Sequence, residues 1–207
     1  MSDGTAIYEP SSGGAFRQAE ILSDINQIKR TVAEQTDSIV IDLVHHSFAV
    51  IVSQDCDLDL DFKARNGLPG PEEKFVGPEK IIPNILICEV FTAEELRAFS
   101  EIKPPIWSRI KTNEHIRYHF FQRADVELDG VGKGLPEMVA DFKRYFSIPG
   151  DDLYDQLARS LDSKYGPVQR RLRLKSPYCE HFSTRFSYYL SRVALPEPHH
   201  SSTSATS

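Results

Sequence analysis

The sequence predicts an α+β fold, with a strongly bent antiparallel sheet or a small barrel covered by two or three helices. Short β-branched apolar runs recur along the chain, such as SIVIDLV (38–44), FAVIV (48–52) and ILICEV (85–90), and such runs are typical of buried strands. Two stretches near the C-terminus instead space their apolar residues as one face of a helix does. The combination indicates the α+β class.

The N-terminal half predicts three strands in succession. Residues 16–25 are interpreted as a first short strand, and residues 26–37 are polar and poorly periodic. Residues 38–44 form a second strand, and residues 45–47 (His-His-Ser) are a short connection into the apolar strand 48–52. The second and third strands are therefore expected to pair as an antiparallel hairpin.

An acidic segment follows the apolar strand 48–52. Its four aspartates alternate with apolar residues or cysteine: Asp55, Asp57, Asp59 and Asp61. A period of two predicts a strand with one acidic face and one packed face. Polar groups crowded at the end of a core strand often belong to binding sites. The candidate binding residues at this strand end are Ser53, Gln54, Asp55 and Asp57.

The middle of the chain combines a long loop, a strand and a short helix. Residues 63–83 contain NGLPGP and VGPEK, and this density of proline and glycine predicts an extended surface loop. After the strand 85–90, Thr92 and Glu95 have the spacing of a capping box. The hydroxyl can accept from the backbone N–H three residues on while the carboxylate reaches back. A short helix is expected to follow.

The C-terminal half adds strands and helices. Residues 113–122 and 138–148 alternate as strands do, and residues 125–136 form a glycine-rich turn. Residues 151–162 predict a helix that opens with two acids, which suit its positive end. A last helix begins at Ser176-Pro177, an order favoured at helix starts.

A polar cluster lies on the predicted strand 113–122. Arg117 and His119 share one face, so a phosphate clamp beside a general acid is geometrically possible, and Asn113 precedes them. Pairing of Arg117 and His119 with acids of the Asp55 segment is the structural alternative. Cys56 is expected to be a small packed residue, with a thiol nucleophile as the alternative.

Charge is distributed unevenly along a chain whose net charge is −6. Residues 1–103 carry 9 Lys/Arg against 18 Asp/Glu, whereas residues 104–207 carry 15 against 12. The basic side chains of a predicted strand at 168–174 are Arg170, Arg171 and Arg173. They are candidate phosphate-binding residues. A solvated strand face, or contact with the acidic half, is the alternative.

Two motifs carry a resemblance to a known family. The apolar run 49–53 (AVIVS) and the run 87–92 (ICEVFT) stand where PemK/MazF-like proteins have an apolar strand ending in Ser and a later strand ending in Thr. The chain resembles these small SH3-type barrels over residues 19–195, which implies an SH3-like barrel fold. The family's ribonucleases place an Arg-Pro before the apolar strand, but Ser47-Phe48 stands here. The resemblance therefore implies a catalytic role only for Thr92.

Length and composition indicate one domain at residues 16–195, between a flexible arm (1–15) and a disordered tail (196–207). No apolar run approaches the roughly 20 residues that span a bilayer, and the first residues lack the pattern of a signal peptide. Three widely spaced cysteines argue against a disulfide framework or a structural zinc site. The chain is expected to be cytoplasmic, without a membrane segment, cofactor or bound metal.

These observations favour a non-catalytic recognition module of a bacterial toxin–antitoxin or phage-defence system, with a protein or RNA partner. Its groove would lie beside Gln54, Asp55, Asp57 and Arg117. One alternative is a metal-independent endoribonuclease of PemK/MazF-like type, with Arg117, His119 and Thr92 as catalytic residues. A second is a metal-dependent hydrolase built on residues 55–61.

Overall fold

The computed structural model describes residues 7–11, 13–32, 39–158 and 168–192. The strands are β1 (Tyr8–Pro10), β2 (Glu20–Val32), β3 (Ile39–Ile51), β4 (Asn84–Thr92), β5 (Tyr118–Phe121), β6 (Met138–Pro149) and β7 (Gln169–Leu174). The helices of the same residues are α1 (Asp55–Asn66), α2 (Ala93–Arg97), α3 (Pro104–Lys111), α4 (Gly150–Ala158) and α5 (Tyr178–Leu190). The strands form one antiparallel sheet in the order β1-β7-β2-β3-β4-β6-β5. The predicted α+β class is confirmed, and the sheet is open rather than closed into a barrel.

Strands β2 and β3 form one long hairpin, which corrects two predictions. β2 pairs with β3 from Ile21, opposite Val50, to Val32, opposite Ile39, so the polar residues 26–32 are strand. The predicted connection 45–47 lies inside β3, and no turn separates residues 39–44 from the apolar end of the strand. His46 suggested a turn because it is polar, but it is buried, stacks on Phe146 and bonds Glu89 at 3.2 Å. Residues 33–38 lie outside the described part.

The acidic segment is a helix, so the predicted strand at residues 55–61 is wrong. The same sequence also has helical spacing, with Asp59 bonded to Lys63 (2.7 Å) and Asp61 to Arg65 (2.9 Å) one turn apart. Acids in the first turn and bases in the last complement the helix dipole. Gly67 ends the helix with φ 61°, a left-handed conformation that glycine adopts without strain.

Helices cover the sheet in three apolar clusters. Phe182 and Phe186 of α5 pack on one cluster with residues such as Val50 and Phe142. The second cluster joins Leu58 of α1 and Leu153 of α4 to strand residues such as Ile87. The third contains Leu96, Ile102, Ile110, Tyr118 and Val139, so that α2 and α3 cover the β5 end. Cys56 is exposed, so the expectation that it is packed is wrong.

Part of the predicted N-terminal arm belongs to the sheet. Tyr8 is fully buried, and its hydroxyl donates to the carbonyl of Gln122 at 2.7 Å. Residues 1–6, the predicted tail 196–207 and the last residues of the predicted helix 151–162 lie outside the described part. Of the predicted strand 113–122, residues 118–121 form β5. None of the helices described is long and apolar enough to cross a membrane.

Candidate functional site

The predicted strand-end residues line a groove of about 750 Å³ between the start of α1 and α5. We call it the Ser53 groove; its polar side is formed by Gln18 and residues 53–57, and its apolar side by residues such as Phe182, Phe186 and Leu190. All four predicted residues from this segment, Ser53, Gln54, Asp55 and Asp57, lie here. The sequence therefore located a real concavity, although it assigned the wrong secondary structure to the residues that follow.

Internal bonds already occupy two of these side chains. The Ser53 hydroxyl accepts a hydrogen bond from the Leu86 backbone N–H at 2.8 Å, which ties the end of β3 to β4. Asp55 accepts from the Gln18 backbone N–H at 2.7 Å and lies 3.2 Å from Arg17 and 3.5 Å from Arg173. Their first role is thus to close the fold around the groove.

Arg117 and Asn113 lie at β5 rather than in the Ser53 groove. Arg117 donates two bonds, of 2.7 and 2.6 Å, to the fully buried carboxylate of Asp141. These bonds and the negative charge of Asp141 raise the pKa of Arg117, although its partial burial lowers it. Asn113 bonds both backbone groups of Phe120 through its side chain. The predicted binding set is therefore divided between two places, and Arg117 pairs with Asp141 rather than with the Asp55 segment.

The three residues of the ribonuclease alternative also lie apart. Thr92 forms the predicted capping box with Glu95. His119 is buried, and burial, with Arg185 and His181 nearby, lowers its pKa well below the usual value. Thr92 lines one cleft, His119 lines a different pocket, and Arg117 is bonded to Asp141.

The basic residues of β7 each contact carboxylates. Arg170 lies 2.6 Å from the buried Glu20, and Arg171 lies 2.5 Å from the buried Asp129. Arg173 lies 3.5 Å from both Glu9 and Asp55. Arg170 and Arg173 therefore pair with acids of the N-terminal half, as the alternative to phosphate binding predicted. Arg171 instead pairs with Asp129 of the C-terminal half. These pairs neutralise the predicted phosphate-binding charge inside the protein.

The aspartates of α1 serve different purposes and do not converge. Asp61 is fully buried and bonds Arg65, the hydroxyl of Tyr154 and the backbone N–H of Ile82. No group of three or more His, Cys, Asp or Glu side chains that could hold a metal ion occurs among the residues described. The metal-dependent alternative thus has no ligand cluster in that part of the chain.

A large concavity is one that sequence reasoning did not identify. A cleft of about 1040 Å³ lies between α2 and the loop 123–137, and we call it the α2 cleft. Three cations line it: Arg97, Arg123 and Lys133. None of the three forms an ion pair with a carboxylate of the described residues. The acids Glu94 and Glu137 and an apolar floor complete the lining.

Buried contacts fix the loop wall of the α2 cleft. Asp129 accepts backbone N–H bonds from Val131 and Lys133 and pairs with Arg171, which also donates to the Gly134 carbonyl at 2.7 Å. Burial raises the pKa of Asp129, but the bonds to Arg171 and the two backbone N–H groups outweigh it and hold that pKa below its usual value.

Gly134 completes this wall, because its φ is +66° and a Cβ there would lie 2.7 Å from the Ala124 carbonyl oxygen.

The helix wall is fixed as well, because the capping box orders the start of α2 and the Ala93 N–H donates to the Glu137 carbonyl at 2.8 Å. The Arg97 guanidinium lies 5.5 Å from the centre of the Trp107 ring. The glycine-rich turn was the one local signal for this cleft. Arg97 and Arg123 are too far apart in sequence for spacing to place them together.

Comparison of the chain with protein-family models, with curated proteins and with solved structures finds no match.

Proposed function

We propose that this chain is a non-catalytic recognition module that binds an acidic segment of a protein partner in the α2 cleft. One observation carries the proposal: Arg97, Arg123 and Lys133 line a cleft of about 1040 Å³, and none has a carboxylate partner among the described residues. Arginines elsewhere, such as Arg117 and Arg171, are held by buried aspartates. Cations without an internal partner are the ones that can pair with a ligand and steer its approach.

The composition of the lining favours a polypeptide over a nucleic acid. The floor of the α2 cleft contains apolar residues: Ala93, Ala124, Val126, Leu135 and Pro136. No aromatic side chain is among the described residues that line the cleft, whereas proteins that bind single strands stack bases on aromatic rings. A segment in which Asp or Glu alternates with apolar residues matches both the cations and the floor.

The separation of the predicted catalytic residues supports the non-catalytic part of the proposal. Arg117 is held by Asp141, His119 is buried, and the Thr92 hydroxyl serves α2. The toxin–antitoxin or phage-defence setting comes from the PemK/MazF-like resemblance and stays a prediction. The expected partner of such a module is an acidic region of another protein from the same system.

A peptide-binding experiment tests the proposal. A fluorescent 12-residue peptide of alternating Glu and Leu is titrated with the full chain, and its anisotropy is followed at two salt concentrations. Saturable binding that weakens with salt is expected, and an Arg123→Gln/Lys133→Gln variant is expected to bind roughly tenfold more weakly, because two ion contacts are lost. The control variant, Lys103→Gln/Arg109→Gln, makes the same charge change on α3.

Two results would overturn the proposal. Equal loss of affinity in both variants would show that overall charge, not the α2 cleft, attracts the peptide. Cleavage of mixed single-stranded RNA that persists with chelator and is lost in Arg117→Ala/His119→Ala would instead establish the ribonuclease alternative.

A further inference from the structure

A smaller pocket lies beneath the start of α5, next to β5. Its volume is about 90 Å³, against roughly 30 Å³ for each molecule of liquid water. Its polar lining residues are Lys111, Asn113, His119, Gln122, Tyr178 and His181. We call it the His119 pocket. Tyr178 and His181 belong to the first turn of α5, whose helix dipole is positive at this end.

His119 is a buried polar side chain without a hydrogen-bond partner. It is 4% exposed, its Nδ1 atom is buried, and no protein atom of the described residues accepts from it or donates to it. Its ring lies near four other rings: Phe121, Phe142, His181 and Phe182. Buried polar groups in folded proteins nearly always have a partner. The partner of His119 must therefore come from whatever fills the pocket.

The surroundings of the pocket are positive. Lys111 contributes an ammonium group, and none of the described residues that line the pocket is an acid. Arg185 of α5 donates to the backbone carbonyls of Asn113, His115 and Tyr118 and has no carboxylate partner among the described residues. Burial lowers the pKa of Arg185, and burial together with Arg185 lowers the pKa of His181. These charges disfavour a cation in the pocket and favour an anion.

From this arrangement we infer that the His119 pocket binds a small oxyanion of the phosphate or sulfate class. Lys111 supplies charge, and His119 and His181, whose rings lie 5.7 Å apart, supply N–H donors. The Asn113 side chain already uses both its groups on Phe120 and takes no part. The small volume suits a compact ion, and this site is distinct from the α2 cleft of the proposed function.

The proposed anion would bind more tightly at lower pH. A bound anion stabilises the imidazolium forms of His119 and His181, so binding takes up protons. The charged or titratable groups around the pair are Lys111 of α3 and Tyr178 and Arg185 of α5. Sulfate affinity is therefore expected to rise at least about tenfold between pH 7.5 and pH 5.5.

The test follows the imidazole NMR signals of the full chain during titration with inorganic phosphate at constant ionic strength, with chloride as the comparison ion. Saturable shifts of the His119 and His181 signals are expected. Sulfate, which does not titrate in this range, serves for the pH series. Phosphoserine distinguishes between two sources of the ligand. If phosphoserine binds, the ligand is a phosphoryl group at the end of a larger molecule; if it does not bind, the ligand is the free ion.

Variants connect the shifts to the pocket. Lys111→Met is expected to weaken phosphate binding about three- to fivefold, and His119→Phe, which keeps an aromatic ring, is expected to abolish it. Lys103→Met, at the other end of α3, should leave binding unchanged. Water alone would fill the pocket, and the inference would be overturned, if phosphate moved the two signals no more than chloride does. The same conclusion follows if Lys111→Met and Lys103→Met bind phosphate equally.

Discussion

The buried pair Arg171–Asp129 offers a sharp test of how the α2 cleft is held. Both residues are 4% exposed, and Arg171 donates bonds of 2.5 to 3.2 Å to the carboxylate. Replacing Arg171 with Met leaves a buried carboxylate without its cation and the Gly134 carbonyl without that donor. Breaking a buried pair from one side costs about 3–5 kcal/mol. We expect a loss of unfolding free energy in this range, which is a large fraction of the roughly 5–15 kcal/mol typical of a domain.

The pH dependence of this loss has a defined sign. In the native protein the pKa of Asp129 is held below its ordinary value, so the pair contributes stability above that value and loses it as the pH falls through the folded-state pKa. Arg171→Met removes the largest contribution that lowers the pKa of Asp129 and leaves burial in place, so we expect this pKa to rise above the unfolded value. The variant then loses stability as the pH rises, so its deficit should be larger at pH 7 than at pH 4.5.

Urea denaturation followed by circular dichroism at both pH values measures the deficit. An Asp129→Asn/Arg171→Met variant removes both charges and should recover about half of the loss or more, since no uncompensated charge remains. A deficit below about 1 kcal/mol, or one that is equal at the two pH values, would refute the reasoning that the pair is buried and tightly coupled.

Three further predictions concern α1 and the loop of the α2 cleft. Asp61→Asn should lower the unfolding free energy by about 2–3 kcal/mol in urea denaturation, because it disturbs a fully buried carboxylate with several hydrogen bonds. The control Asp57→Asn, at an exposed position, should change it by less than about 0.5 kcal/mol. Equal effects of the two variants would contradict the assignment of α1. Gly134→Ala should destabilise the protein by about 1–3 kcal/mol more than Gly132→Ala does. Both glycines have positive φ, but only at Gly134 would a Cβ lie 2.7 Å from a backbone oxygen. Equal melting temperatures of the two variants would argue against that contact. Cys56 should react rapidly with a disulfide reagent in the native protein while the two buried cysteines react only after unfolding, and two or more fast thiols would contradict their burial.

The sequence determined the elements whose signals are local. Buried β-branched runs predicted strands that the structure has at Ile51 and Ile87, and alternation predicted the strand at Val139. The Thr92–Glu95 capping box formed as expected. The periodicity of side chains and helix capping depend on residues only a few positions apart, so the sequence of a single chain is sufficient to predict them. The concavity at Ser53 was also predictable, because a core strand that turns polar within one residue marks a strand end.

The tertiary structure decided what depends on distant partners. Residues 55–61 fit both a strand and a helix, and contacts such as Asp61 with Tyr154, 93 positions away, accompany the helix. Arg171 forms an ion pair with Asp129, whereas Arg97 and Arg123 line a cleft and have no carboxylate partner among the described residues. An alternating pattern states which side chains share a face but not which carboxylate lies opposite a given arginine. Long-range packing alone assigns those partners, and it therefore decides which charges remain available for binding.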